Sequence, residues 1–196
     1  MYFDVIIAGF GGQGVLLMGD LVAYAAMKEG KHVTYMPTYG VEMRGGTAMC
    51  TVIIADDEIG SPLTARPQAV IVMNEASLDK YQPIVKPGGL VFVNTSLIPK
   101  DKVTRTDLDV VLIAANDLAA QLGNSKMSNM IVLGTFVERT GIVKLETIEK
   151  SFADVMPERW HGLIPLNVRA MNIGAEFSRS ALRTQQQECG RSRRKP

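Results

Sequence analysis

The first 29 residues contain the pattern that most restricts the fold, namely a short apolar strand, a glycine-rich turn and a helix. Residues 2–8 are apolar and include three consecutive β-branched residues at 5–7, the sequence GFGGQG occupies residues 9–14, and residues 15–29 read as a helix. Glycines allow a tight turn and let backbone N–H groups approach an anion at the positive end of a helix. The pattern therefore predicts a βα unit of the kind that cradles phosphate.

Within this turn, four residues are the candidates for binding a phosphate-bearing group or the backbone of a partner: Gly11, Gly12, Gln13 and Gly14. The alternative is that the glycines only close the turn, and we favour that explanation for Gly9. The spacing G-x-G-x-x-G also matches the dinucleotide fingerprint, which is a weak signal when it stands alone. That site requires an acidic residue at the end of the second strand, to bind the ribose. The strand predicted at 32–36 instead continues into Pro37-Thr38-Tyr39-Gly40, which argues against NAD.

Composition excludes several classes of protein. The chain has 196 residues and 46% hydrophobic residues, which suits one domain with a sizeable core. We see no signal peptide or transmembrane segment and expect a cytoplasmic protein without a membrane partner. Its two cysteines, Cys50 and Cys189, are far apart, so a disulfide framework, a zinc site or a bound iron–sulfur cluster is not expected, and we predict no metal ligands.

The basic residues are concentrated at the end of the chain. Residues 183–196 contain five of the 21 Lys and Arg residues but one of the 20 Asp and Glu residues. The remainder is mildly acidic, which gives no electrostatic indication of a nucleic-acid partner. The end is polar and lacks apolar periodicity, so we predict a folded domain over 1–182 and a disordered basic tail over 183–196.

The alternation of strands and helices predicts a Rossmann-like α/β fold, doubly wound around a mostly parallel sheet. Residues 46–55 read as a strand and an acidic turn at 56–58 leads to residues 59–62, which suggests a β-hairpin inserted into the sheet. The first helix is apolar around most of its surface, with polar positions at Asp20, Tyr24 and Lys28. We therefore expect it to be covered on a second side, by this chain or by a partner subunit.

A second motif follows the second strand, at the end of the sheet where α/β proteins place their ligand crevices. Arg44, flanked by Met43 and glycines, offers a planar fork to carboxylate or phosphate, and Glu42 could orient it. A solvated ion pair on a glycine turn is the alternative. Methionines at 36, 43 and 49 surround the motif and suit an adaptable contact surface, although they also fill cores. The candidate residues of this crevice loop are Tyr39, Glu42, Arg44, Gly45 and Gly46.

Taken together, GFGGQG at residues 9–14, YGVEMRGG at 39–46 and Ser61-Pro62 strongly resemble the gamma subunit of 2-oxoacid:ferredoxin oxidoreductases. The segment from Asn129 to Gly134 and Asn167 are similar to that family too. The resemblance covers residues 1–182 and implies a pyruvate/ketoisovalerate oxidoreductase gamma-type domain. It does not extend into the tail.

The resemblance implies a role in an enzyme that oxidatively decarboxylates a 2-oxoacid, transfers the acyl group to coenzyme A and reduces ferredoxin. It also implies alpha and beta subunits that bind thiamine diphosphate and Mg²⁺, and a ferredoxin-like delta subunit with iron–sulfur clusters. This chain alone is expected to bind none of these cofactors and to carry no catalytic residue. His32 and His161 have no nucleophile or carboxylate partner nearby in sequence, so we expect both to be structural.

Three functions remain open on the sequence. The first is a gamma subunit of an enzyme for 2-oxoglutarate, with branched-chain, pyruvate and indolepyruvate enzymes as variants. The second is an independent NAD(P)-dependent oxidoreductase, and the third is a non-enzymatic nucleotide-binding module.

Overall fold

A computed structural model of the chain describes residues 1–40 and 46–192, with side chains as far as Arg183. Within these residues six strands form one sheet: β1 (Tyr2–Phe10), β2 (His32–Tyr39), β3 (Thr47–Ala55), β4 (Ala69–Val72), β5 (Leu90–Asn94) and β6 (Asp109–Ile113). The described helices are α1 (Val15–Lys28), α2 (Glu75–Tyr81), α3 (Ala115–Gln121), α4 (Ser128–Thr140), α5 (Leu145–Val155) and α6 (Ile164–Ser192).

The sheet order is β2-β3-β1-β4-β5-β6. Strands β1, β4, β5 and β6 pair in parallel, whereas β3 is antiparallel to both of its neighbours, β1 and β2. The prediction of a Rossmann-like α/β fold with a mostly parallel sheet is confirmed. Because β3 lies between β1 and β2, it separates the glycine turn after β1 from the end of β2.

The predicted hairpin was wrong in its strands. Strand β3 pairs with β2, which precedes it, and not with residues 59–62, which follow the acidic turn. The turn instead anchors the base of the hairpin, where Lys31 Nζ lies 2.6 Å from Asp56 Oδ1. Strand β3 is apolar on both faces and central in this half of the sheet, so it needs a full-length strand on each side. Residues 59–62, which contain Pro62, are too short to supply one.

The two faces of the sheet are covered unequally. Helices α1, α4, α5 and α6 pack on one face around a large core that includes Ile7, Phe92 and Phe136. The opposite face has a smaller core around Val70, Val91 and residues of α2. Because α2 has seven residues and packs beside β1 and β4, the part of this face formed by β2 and β3 lacks a helical cover among the described elements.

The prediction that α1 is covered on a second side is confirmed, and the cover comes from this chain. Helix α1 lies on β2 and β3, and α5 packs along it. Lys28 at its C-terminal end lies 2.6 Å from Asp154 of α5. Most of the apolar side chains of α1 are buried by these contacts, including Leu21, Val22 and Ala25.

Helices α4 and α6 cross at unusually close range. A Cβ added to Gly134 would overlap the backbone carbonyl of Met171, and one added to Gly174 would overlap the carbonyl of Ile131. The hydroxyl of Thr135 lies 3.0 Å from the carbonyl oxygen of Gly174 and 2.9 Å from that of Ile131. The crossing therefore depends on two glycines that lack side chains and on a buried hydroxyl between the helices.

Helix α6 differs from the sequence prediction at its end. It continues to Ser192, whereas disorder was predicted over 183–196. Gln, Glu and Arg, which make up much of this segment, are good helix formers, and no proline interrupts it, so a helix already packed on α4 can propagate. Residues 193–196 lie outside the described part of the chain, and a domain boundary at 182 stays a prediction. Among the described residues, none of the helices has both the length and the apolar composition that a membrane span requires.

Candidate functional site

The glycine turn between β1 and α1 is held by the side chain of Gln13. Its Oε1 accepts a hydrogen bond from the backbone N–H of Phe10 at 2.7 Å, and its Nε2 donates to the carbonyl of Met73 at 3.0 Å. The first bond closes the turn on itself, and the second joins it to the end of β4. Gln13 therefore fixes the orientation of the turn through hydrogen bonds within the chain.

The glycines of the turn have different reasons to be glycine. A Cβ on Gly9 would lie 2.9 Å from Met73 Cβ and 2.9 Å from Val15 Cγ2, so Gly9, which lies within β1, is required by packing, whereas the sequence had suggested only that it closes the turn. Gly14 has φ of 70° and contacts Asn129, while Gly12 has φ of 95° with open space where a Cβ would stand. Gly12 thus faces outward, and glycine is favoured at this position by its positive φ and not by packing within the domain.

The first turn of α1 has no side-chain cap among the described residues. Gly14 occupies the N-cap position without a capping side chain, and the first intrahelical bond runs from Met18 N–H to the Gly14 carbonyl. The N–H groups that precede Met18 in the helix have no intrahelical acceptor. Together with the N–H of the exposed Gly12 they suit a phosphate or a partner's carbonyl groups, whereas the N–H groups of Gly11 and Gln13 are bonded within the turn region, to Gly46 and Phe10.

The two sequence motifs meet at this turn. The backbone N–H of Gly11 donates to the carbonyl of Gly46 at 2.8 Å, and Gly40 N–H donates to the Thr47 carbonyl at 2.7 Å. Strand β3 therefore starts beside the glycine turn and brings the ends of the second motif to it. Glu42, Arg44 and Gly45 lie outside the described residues, so their roles stay predictions.

Large apolar side chains are exposed at the same end of the sheet. Tyr39 at the end of β2 is 69% exposed, Phe10 at the end of β1 is 40% exposed, and Met36 is also exposed. Exposed aromatic and methionine side chains of this kind are typical of contact surfaces. Tyr39 is thus available to a ligand or a partner at this end of the sheet, as its assignment to the crevice loop requires.

Amide side chains around the turn were not identified as site residues from the sequence. Asn129 Nδ2 lies 3.5 Å from the Gly14 carbonyl and connects the start of α4 to the start of α1. Further along the sheet, Ser96 Oγ accepts hydrogen bonds from the backbone N–H groups of Asn116 and Asp117 at the start of α3. An isolated asparagine or serine gives no sequence signal for such contacts, because its partner is distant in the chain.

The geometry opposes a standard dinucleotide site. Strand β2, whose end should hold the ribose carboxylate, lies two strand positions from β1, or about 9–10 Å. Tyr39 and Gly40 occupy that end, and neither is acidic. The described residues include no group of His, Cys, Asp or Glu arranged to hold a metal ion. His161 lies 2.9 Å from the carbonyl oxygen of Met156, in agreement with the structural role expected for it.

A polar cluster beneath α1 is buried away from the turn. The Tyr35 hydroxyl donates to the Leu16 carbonyl at 3.3 Å, and the Cys50 thiol lies 3.8 Å from the Val15 carbonyl. Burial raises the pKa of the Cys50 thiol to about 12 and raises the pKa values of Asp20 and Tyr35 above their ordinary values. The raised pKa of the Cys50 thiol keeps it protonated at neutral pH, so it is poorly suited to nucleophilic chemistry.

Comparison with known proteins gives one family for almost the whole chain. Residues 4–177 match the pyruvate ferredoxin/flavodoxin oxidoreductase family. A 2-oxoglutarate synthase subunit KorC from Methanocaldococcus jannaschii is 30% identical over 90% of this chain and 94% of its own length. A ketoisovalerate oxidoreductase subunit VorA from Methanothermobacter marburgensis is 36% identical over 91% of this chain, which spans 37% of that relative's length.

Solved structures agree with this assignment. The gamma subunit of a keto/oxoacid ferredoxin oxidoreductase from Geobacter sulfurreducens matches with a TM-score of 0.76 and 28% identity, over 91% of this chain and 99% of that one. A 2-oxoglutarate:ferredoxin oxidoreductase from Magnetococcus marinus shares the fold, with a TM-score of 0.81 at 20% identity. The predicted resemblance is confirmed: this chain belongs to the pyruvate ferredoxin/flavodoxin oxidoreductase family.

Proposed function

We propose that the chain is the gamma subunit of a multi-subunit 2-oxoacid:ferredoxin oxidoreductase and that its glycine turn and crevice loop contact coenzyme A or a neighbouring subunit. The observation that carries the proposal is the hydrogen bond from Gly11 to Gly46, which joins the two glycine motifs into one surface. This surface presents backbone donors, exposed aromatic side chains and the two ends of the loop that contains Arg44. It has the composition of a contact site and lacks a catalytic constellation among the described residues.

The substrate that we propose is 2-oxoglutarate. Support comes from three KorC relatives, of which this chain covers 94–95% of the length at 30% identity. The ketoisovalerate relatives are more similar in sequence, at 34–36% identity, but are much longer chains. Ketoisovalerate is therefore the alternative substrate.

The cofactors of the reaction would be held by other subunits. Two cysteines in the whole chain cannot supply the four ligands of an iron–sulfur cluster. We place the clusters on a ferredoxin-like delta subunit and thiamine diphosphate with Mg²⁺ on the alpha and beta subunits. Coenzyme A would supply the thiol that accepts the acyl group, and this chain's part would be to bind and orient its phosphates through backbone N–H groups and Arg44.

The test of the subunit role is reconstitution. The purified single chain is expected to reduce no viologen dye with any 2-oxoacid and coenzyme A, whereas co-expression with thiamine-binding alpha and beta subunits should give an active complex containing this chain. The kcat/KM of that complex should be highest for 2-oxoglutarate. Turnover by the single chain would disprove the subunit role. A higher kcat/KM for ketoisovalerate than for 2-oxoglutarate would identify ketoisovalerate as the substrate instead.

The contact role is tested at Arg44. A charge-assisted hydrogen bond contributes about 1.5–3 kcal/mol, so Arg44→Ala should weaken the relevant constant roughly tenfold or more. If Arg44 binds coenzyme A, the KM for coenzyme A should rise while the KM for the 2-oxoacid stays constant; if it binds a subunit, the complex should dissociate on dilution. Arg44→Lys should restore part of the loss, because lysine keeps the charge without the fork.

Arg66 provides the matched control for this experiment. It is exposed in a loop and forms no ion pair with the part of the chain that the structure describes. Arg66→Ala should therefore leave kinetics and assembly unchanged. If the Arg44→Ala and Arg66→Ala complexes behave equally, Arg44 is a solvated loop residue and binds neither coenzyme A nor a subunit.

A further inference from the structure

A cleft lies on the less covered face of the sheet, beside the start of the glycine turn. Its floor is formed by Ala8 and Met49, its wall by one side of α2, and its outer side by the ends of β2 and β3. The volume is about 230 Å³. The cleft exists because α2 is short and β3 is inserted, which leaves a step between the helix and the hairpin.

Four residues with hydroxyl groups line this cleft, and none of these hydroxyls has a hydrogen-bonding partner among residues 1–40 and 46–183. They are Thr38 of β2, Thr47 of β3, and Ser77 and Tyr81 of α2. Ser77 is the most informative, because its residue is 7% exposed and its backbone N–H, but not its hydroxyl, is bonded to Asn74 Oδ1. The hydroxyl oxygen itself is not fully enclosed, so it is open to water or a ligand in the cleft.

Among the described residues that line the cleft, the one charged side chain is Lys80, one turn after Ser77 on the same side of α2. Its Nζ lies 5.1 Å from the centre of the Tyr81 ring, and no described carboxylate forms an ion pair with it. The neighbouring acid of α2, Glu75, is instead paired with Lys102 at 2.6 Å. The described lining thus combines one ammonium group with four hydroxyl-bearing side chains and no acidic residue.

We propose that this cleft binds the oxyanion group, carboxylate or phosphate, of a small ligand whose short apolar stem rests on Ala8 and Met49. The ammonium group of Lys80 and the hydroxyls of Thr38, Thr47 and Ser77 donate hydrogen bonds to the oxyanion. A volume of about 230 Å³ is below the range of roughly 300–1,000 Å³ for drug-sized ligands, which selects a small acid or one end of a larger molecule. The site is separate from the N–H groups of the glycine turn and does not depend on the subunit role.

The test uses the full-length chain labelled with ¹³C at its methionine methyl groups. Met49 forms the cleft floor, and Met18 is buried under α1 on the other face of the sheet and serves as the internal reference. Acetate, pyruvate and inorganic phosphate are titrated separately at constant ionic strength against chloride. A saturable shift of the Met49 signal, with Met18 unchanged, is expected. Saturation by acetate and pyruvate identifies a carboxylate ligand, and saturation by phosphate identifies a phosphoryl ligand.

Two variants and a control decide whether the cleft residues are responsible. Lys80→Gln should raise the Kd roughly tenfold or more, as expected for loss of a charge-assisted hydrogen bond, and Ser77→Ala should raise it less. Lys126→Gln removes an exposed lysine outside the cleft and should leave the Kd unchanged. The proposal is overturned by a Met49 shift that never saturates, by an equal shift with chloride, or by unchanged binding in Lys80→Gln.

Discussion

Replacing Gly134 with alanine tests how the α4–α6 crossing determines the position of the functional surface. Two effects oppose each other in this variant. Alanine is favoured over glycine within a helix by about 1 kcal/mol. The new Cβ, however, overlaps the backbone carbonyl of Met171, which cannot rotate away as a side chain would.

The clash should prevail over the helix preference. Overpacking a tight core costs about 1–3 kcal/mol, and the upper end applies here because the neighbour is backbone. Separating the helices also lengthens the 3.0 Å contact between Thr135 Oγ1 and the Gly174 carbonyl, which costs about 1 kcal/mol. The net destabilisation is about 3 kcal/mol, which corresponds to a decrease in Tm of roughly 6–12 °C for a chain of this size.

The assay is thermal unfolding followed by circular dichroism, with Gly162→Ala as the control. Gly162 has open space where a Cβ would stand, so this variant should change stability by less than about 0.5 kcal/mol. A Tm for Gly134→Ala equal to or above that of the wild type would refute the close crossing, because the helix preference of alanine would then outweigh the clash. Since Asn129 at the start of α4 contacts Gly14, a displaced α4 should also weaken the subunit assembly proposed above.

Three further predictions concern the turn and the cluster beneath α1. The new Cβ of Gly12→Ala meets no atom of the domain, but the alanine must adopt an unfavourable φ of 95°, so the variant should lose about 1–3 kcal/mol of stability. If its assembly or coenzyme A use falls further than that of an equally destabilised Gly134→Ala complex, Gly12 makes an external contact. Burial raises the folded-state pKa of Asp20, so the stability that its protonated carboxyl contributes is present below its unfolded pKa of about 4 and declines as pH rises. The difference in Tm between Asp20→Asn and the wild type should therefore increase from pH 3.5 to pH 7, and a difference that stays constant would contradict this. Cys50 is fully buried with its thiol pKa raised to about 12, so in a Cys189→Ser background a thiol reagent at pH 8 should react only on unfolding, and rapid labelling of the native protein would disprove the burial.

Local chemistry allowed the sequence to predict β1, α1, β3 and the glycine turn between β1 and α1. Apolar periodicity identifies β1 and α1 without reference to the rest of the chain, and glycine at residues 9–14 identifies the turn between them. The same reasoning excluded a cysteine-ligated cluster and argued against NAD. The helical continuation of α6 to Ser192 was missed, because low hydrophobicity was given more weight than the helix preference of its residues.

The tertiary structure decided how the two motifs are related. Pairing of β3 with both β1 and β2 brings Gly46 to Gly11, and it depends on contacts between strands that are distant in sequence and therefore leave no local pattern. The contact of Asn129 with Gly14 and the group of hydroxyls around Lys80 arise in the same way, because each joins residues from separate elements. The sequence thus determined which residues form turns and strands, whereas the insertion of β3 determined which of them share a surface.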